Sequence, residues 1–444
     1  MKKEMKKTIY SMAVLLMGLA FTACSSDNDN NSDDNNQFNI VKTNPIVDQD
    51  TYPANTVAAN YSNKAFGEAA IDGCVDLVGE LEAANAVIAS SKLSEDQETY
   101  LRKTLETLVS KVIIPTYTKL ADETEALEGT LNVLTVNTIT QAQINSACDD
   151  FKQARKYWEQ SEAFLMGAAS DFDIDPTIDS WPLNRTLLLS YFNNGMDEEM
   201  LEDATILGFH ALEFILFRDG QPRKVAELQG NDTYKNFENV SGAQELAYAQ
   251  TICKLLKERC FQLQCAWDGG VNSNRLSVVK AAGLDYQTEK GLSYGDNLVK
   301  AGISGSNSTF STLKAAIAQV LSDDEGSCVA IANEVGTAKI ANPFAAGDVS
   351  YVESPYSYNS ITDFRDNIRS IRNVWLGSTD KTANDYSFHT FFASVKSEAV
   401  NQTVENGYVT AIEAISNMPS PFVKYCCTIW NINFEDDENW ETEE

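Results

Sequence analysis

The sequence predicts an all-α protein of two helical bundle domains packed against each other, with a long irregular insertion in the second. Apolar residues recur at the three-and-four spacing of a helix in stretch after stretch, whereas sustained alternating runs bounded by turn signals are few. The chain has 444 residues, enough for two domains of ordinary size.

The first segment reads as a signal rather than as structure. Lys2, Lys3, Lys6 and Lys7 precede an apolar run from Met12 to Phe21, the pattern of a secretion signal over residues 1–23. It ends in Phe21-Thr22-Ala23-Cys24, which resembles a bacterial lipobox with Phe21 in a place usually held by an aliphatic residue, and this makes Cys24 the lipidation site. Residues 24–44 begin as a Ser/Asp/Asn-rich stretch and read as a disordered polar tether. No other segment is apolar for long enough to span a bilayer. The folded part is therefore expected in the cell envelope, lipid-anchored to a membrane and facing the periplasm or the cell exterior.

Residues 45–217 carry four stripes and form the expected N-terminal bundle. The first is Phe66, Ala70, Cys74, Leu77, Leu81, Ala84 and Ile88; the second is Leu101, Leu105, Leu108 and Val112, with Pro115 expected to kink or interrupt the helix that continues toward Leu127. The third runs from Ile144 through Phe151, Trp158 and Ser161 to Leu165, and the fourth is the apolar run Ala204 to Phe217. After a turn-rich link, Arg218 to Arg223, residues 218–434 form the expected C-terminal bundle. Its stripes are Leu246, Cys253, Leu256, Cys260, Leu263 and Trp267, then three helices near 313–335, 361–376 and 393–418. Between them, 268–308 is rich in Gly, Asn and Ser and reads as a long loop or insertion with room for a small hairpin. Residues 435–444 read as a solvated acidic tail.

Composition narrows the function. The chain carries 64 acidic against 34 basic residues, a formal charge of −30. Such a surface repels nucleic acid, which is excluded as a partner, and attracts cations. Eight cysteines follow Cys24, several on apolar stripes and none in a Cys-x-x-Cys pair, so they read mostly as core filler.

The fourth stripe contains the chemistry. His210, one of two histidines, stands three residues before Glu213 in the run Gly208-Phe-His-Ala-Leu-Glu213, so both share one face of a buried helix. Three readings compete: a mutually satisfied core pair, a metal site, or a general acid–base pair. A His-Glu-x-x-His zinc peptidase is disfavoured, because Phe214 stands where the second histidine belongs and His389 has no ligand spacing around it. Upstream, Trp158 and Glu162 are four apart on one helical face, which turns Glu162 inward, and Asp179-Ser-Trp181-Pro-Leu183 forms a connection. Downstream, Asp363, Arg365, Asp366, Arg369 and Arg372 lie along one helix.

These segments together resemble the imelysin-like family. The Gly-x-His-x-x-Glu signature is Gly208, His210 and Glu213; Trp158-Glu-Gln-Ser161-Glu162-Ala-Phe is similar to the upstream block; and Ser370 to Gly377 is similar to a C-terminal block, with Trp375 in the aromatic place. The resemblance covers about 60–422. It implies two helical bundles with the signature near their interface, an extracytoplasmic lipoprotein, and a link to bacterial iron uptake. The implied roles are His210, Glu213 and Glu162 as metal ligands, with Gly208, Trp158, Ser161 and Trp181 around the site, and Asp366 and Arg372 reaching it from the second domain. Iron is the first metal this suggests, ahead of zinc or calcium, arriving free or as a metal-bearing ligand, with an iron-transport membrane protein as a partner. Two alternatives stay open: a metal-dependent peptidase with Glu213 as base for a metal-bound water, and a surface-binding lipoprotein in which the pair is a core element.

Overall fold

The computed structural model describes residues 38–434. The signal, Cys24, most of the tether and the acidic tail lie outside them. The fold is all-α. The helices that carry it are α1 (Ala65–Ser90), α2 (Glu95–Leu108), α3 (Ile114–Asn132), α4 (Gln141–Glu159), α5 (Gly208–Leu216), α6 (Gly242–Asp268), α7 (Cys328–Glu334), α8 (Ser360–Leu376) and α9 (Glu398–Asn417). Three of them start in capping boxes, Ser94 with Gln97, Thr140 with Gln143 and Ser241 with Gln244, each hydroxyl accepting a backbone N–H that the helix leaves unpaired. α6 and α8 stop at Gly269 and Gly377, both in the left-handed conformation.

The regular α-helix is interrupted beside Pro115, without ending. A π-helical turn, Val109–Ile113, joins α2 to α3 just before Pro115, whose missing N–H breaks the regular hydrogen-bond ladder there. The turn-rich link after Phe217 is a tight hairpin, β1 (Phe217–Arg218) against β2 (Gln221–Pro222), because Asp219 and Gly220 both take the positive φ that a two-residue turn requires. The insertion at 268–308 holds no hairpin; it holds two short helices, Ser273–Ala281 and Tyr294–Val299.

The bundles do not follow each other along the chain. α3, α4, α5 and α6 pack together, while α1 packs along α9 and against α7, and α8 touches both α9 and α4. The boundary at 217/218 is therefore not where one bundle ends, since each draws helices from both halves. Helical periodicity gives the buried face of α1 (Ala70, Cys74, Leu77, Leu81, Ala84, Ile88) but not the helix that covers it.

The folded body also begins earlier than residue 45. Phe38 stacks edge-on to Tyr100 at 5.1 Å between ring centroids, Val41 donates its N–H to Ser394, and Ile46 donates to Glu405. The segment continues as a strap over the C-terminal helices, pinned by buried Asp48. Among the described residues all eight cysteines are free and seven are buried, as a core role requires. No described helix is long and apolar enough to cross a membrane.

Candidate functional site

A cluster of buried charges lies where α4, α5, α8 and the turn after α7 meet. The last turn of α4 brings Arg155 and Glu159 inward, one turn apart and both fully buried. α5 is buried along its whole length and presents His210 and Glu213. Gly208 opens this helix with φ of +72°, and a Cβ there would lie 2.0 Å from the carbonyl oxygen of Ile178. Only glycine allows that approach, and it sets α5 against the backbone immediately before Asp179.

Arg155 is the hub. Its guanidinium pairs with Asp179, with Glu159 at 2.6 Å and with Glu353, and its Nε stands 3.8 Å from Asp363. Lys339, in a π-helical turn after α7, donates to Glu353 at 3.1 Å and stands 3.9 Å from Glu162. Asp179 receives the indole N–H of Trp158 at 2.6 Å and lies 3.1 Å from Nε2 of His210. The other face of the imidazole meets Glu213, with Nδ1 3.7 Å from Oε2. Oε1 of Glu213 is engaged elsewhere, accepting the backbone N–H groups of Tyr356 and Ser357 and the Ser357 hydroxyl.

Charge does not balance within this cluster. Glu159, Glu162, Asp179, Glu213, Glu353 and Asp363 are all buried, against Arg155, Lys339 and His210. Burial pushes the carboxyls of Glu159 and Glu162 well up, and that of Asp363 up to about 7, against the pull of the nearby cations. Burial acts on Asp179 in the same direction, but Arg155 and the hydrogen bond from His210 outweigh it and hold the group below the usual carboxylate range. For His210, burial and Arg155 disfavour the imidazolium, yet hydrogen bonds to Asp179 and Glu213 win and raise it to about 9.

Two sets of ligand atoms converge. Asp179, His210 and Glu353 each offer one atom within 4.8 Å of the others, and so do Glu159, Glu162 and Asp179. The donors are one imidazole nitrogen and carboxylate oxygens, a hard, oxygen-rich set. Oε2 of Glu353 is buried without a hydrogen-bond partner among the described residues, as expected of an oxygen with room for a cation, while Oε2 of Glu213 faces Nδ1 of His210. The chemistry of the donors therefore fits a metal ion.

Access differs on the two sides. Beside His210, Trp181, Leu183, Val352 and Tyr356 enclose a cavity of about 10 Å³, room for little more than a water. On the Glu162 side, a cleft of about 470 Å³ opens between acidic walls that include Asp173, Asp175, Asp324, Glu325 and Glu334. It adjoins a larger groove of about 1130 Å³, one wall of which is the insertion residues Asp285 to Leu298; Ser170 and Glu325 line both.

Several expected site residues stand where the sequence puts them. Trp158 and Trp181 wall the cluster, the Trp181 ring 6.2 Å from that of His210, and Ser161 closes the end of α4 on the Trp158 carbonyl. Others differ. α4 ends at Glu159, so Glu162 sits in a short 3₁₀ turn, Glu162–Phe164, and groups with Glu159 and Asp179 rather than with His210. Asp366 pairs with Arg369 and Gln160, and Arg372 pairs with Asp48 of the strap, so neither reaches the cluster; Asp363, one turn earlier on α8, does. No motif marks Arg155, Glu159, Lys339 or Glu353; Asp179 stands in the sequence only as part of a connection, and Asp363 only as one charge among several on its helix. Arg155 and Glu159 carried a signal, two charges one turn apart flanking Trp158 on a buried stripe; Glu353 stands in a loop and carried none.

The sequence profile of the Imelysin family matches residues 113–437, which span every residue of the cluster. The chain belongs to the imelysin family. Its relatives include iron-regulated protein A of Synechococcus elongatus, 24% identical over 341 residues, covering 77% of this chain and 82% of that protein. A crystal structure from Parabacteroides distasonis, assigned to an iron-regulated protein A precursor, superposes with a TM-score of 0.56 at 25% identity, covering 77% of this chain and 97% of that one. In this imelysin-family chain the glycine of the signature fixes helix position, the histidine faces the Asp179–Glu353 pair, and the glutamate holds the 356–357 loop.

Proposed function

We propose that this protein binds a metal ion at Asp179, His210 and Glu353 and serves iron acquisition. The observation that carries the reading is a buried imidazole among carboxylates that outnumber their counter-cations, with one oxygen of Glu353 unpartnered among the described residues. A cation supplies the positive charge this cluster lacks. Arg155 holds Asp179 and Glu353 in place, Glu213 fixes the adjoining loop and backs the imidazole, and Trp181 seals the site from water. Iron is the metal favoured by the donor set together with the names of the relatives. The cavity beside His210 is too small for a peptide, which favours binding over cleavage. The rest of the reading is a lipid anchor at Cys24 that keeps the protein at a membrane in the cell envelope, and transfer of the metal to a membrane transporter.

Anaerobic ferrous titration with elemental analysis tests the site. The wild type should bind iron stoichiometrically, and His210→Ala and Asp179→Asn should weaken it at least tenfold while circular dichroism still reports a folded helical protein. Binding unchanged in both variants, or none in the wild type, sinks the reading. For the anchor, labelled palmitate should enter the wild type and not Cys24→Ser.

A further inference from the structure

The proposed His210 site leaves half of the ligand-bearing cluster unused. Glu159 and Glu162 meet at Asp179, the one residue common to both sets of convergent oxygens. A carboxylate has two oxygens and is able to bridge two cations. With His210 neutral, as a metal ligand must be, the six buried carboxylates face only Arg155 and Lys339 and leave four negative charges. One divalent ion beside His210 removes two of them. Uncompensated buried charge is costly, so the remaining two call for a second divalent cation or its equivalent in protons.

The second set is also the one with a way in. Glu162 lines the acidic cleft, is 4% exposed, and accepts no hydrogen bond among the described residues; its nearest cation, Lys339, stands off at 3.9 Å. Lys339 is the cation able to yield. Arg155 is locked by a planar fork into several carboxylates, whereas lysine is a point charge on a flexible stem, here in a π-helical turn that borders the cleft through Thr337 and Ala338.

We propose a second cation position at Glu159, Glu162 and Asp179, bridged by Asp179 to the His210 site and filled through the acidic cleft; in the metal-free protein Arg155 spans Glu159 and Asp179, and the Lys339 ammonium is the cation near Glu162. The proposal rests on the first site being real, and the experiment separates the two. Manganese(II) serves as the probe in equilibrium dialysis and electron paramagnetic resonance on the full chain. The wild type should bind two manganese ions per chain and give the spectrum of an exchange-coupled pair. Glu162→Gln, which removes one charge and no hydrogen bond, should bind one ion and give the spectrum of an isolated ion. One ion per chain in the wild type, unchanged by Glu162→Gln, overturns the second position and leaves the first. Two ions in both proteins place the second ion elsewhere and also overturn it. No binding in the wild type overturns both. Should Glu162→Gln fail to fold, the presence or absence of coupling in the wild-type spectrum decides.

Discussion

Gly208 shows how one residue without a side chain governs several that have them. Its positive φ and its contact with Ile178 bring the start of α5 to the chain segment that carries Asp179, so His210 meets its carboxylate partner. Gly208→Ala puts a methyl group where backbone oxygen already lies, and neither side yields by rotating a side chain. We expect a loss of about 3 kcal/mol or more in stability, read by denaturant unfolding. Arg155 is the opposite case. Arg155→Met leaves Asp179, Glu159 and Glu353 buried without their shared cation, and a loss of about 3–5 kcal/mol is expected, larger at pH 8 than at pH 5, where protons replace the missing charge. His210 was legible in the sequence because a polar residue in an apolar run needs a partner. Glu353 was not, because a loop carboxylate looks like every other loop carboxylate until the fold encloses it.

Among the elements, the strap from Phe38 to Asp50 is held by charge and by His389. The imidazole lies 3.1 Å from the Thr43 carbonyl oxygen through Nε2 and contacts Glu405 through Nδ1. Burial disfavours the imidazolium there, but Glu405 and the Thr43 carbonyl outweigh it, so its proton is held more tightly than in the unfolded chain. A raised value means the stabilisation is complete below the ordinary histidine range and is lost as pH rises through the raised one. Amide protection of the strap, taken relative to the intrinsic exchange rate at each pH, should therefore fall above neutral pH in the wild type, and His389→Asn should remove that fall. Helix existence was largely readable, since α1, α2, α4 and α6 each carry a clear apolar stripe. Helix partnership was not, because a stripe reports that a face is covered and not by what. The turn carrying Lys339 was unreadable for a third reason: its π-helical spacing follows neither the helical nor the strand period.

For the whole molecule the charge imbalance sets a pH optimum. Asp363 and His210 have raised values, to about 7 and about 9, so the stability they contribute is full at low pH and falls as pH rises, from roughly 4 to 7 for the first and from 6.5 to 9 for the second. Asp179, held low, acts in the other sense and is lost only below its ordinary range. The metal-free protein should be most stable in mildly acidic buffer, and His210 alone accounts for a fall of about 3 kcal/mol toward pH 9. Melting temperatures across pH check this; a flat profile from pH 5 to 9 would contradict it. Bound metal should flatten the alkaline limb, since it replaces the protons that leave.

The pairing of α1 with α9 has a consequence for how the chain is made. From Ser90 to Glu398 roughly 300 residues separate the end of one helix from the start of its cover. At about 5–20 residues per second of synthesis, α1 waits tens of seconds with its oily side bare. That interval is a standing invitation to aggregation, and it gives any holding chaperone a defined client: one long helix whose mate leaves the ribosome roughly 300 residues after it.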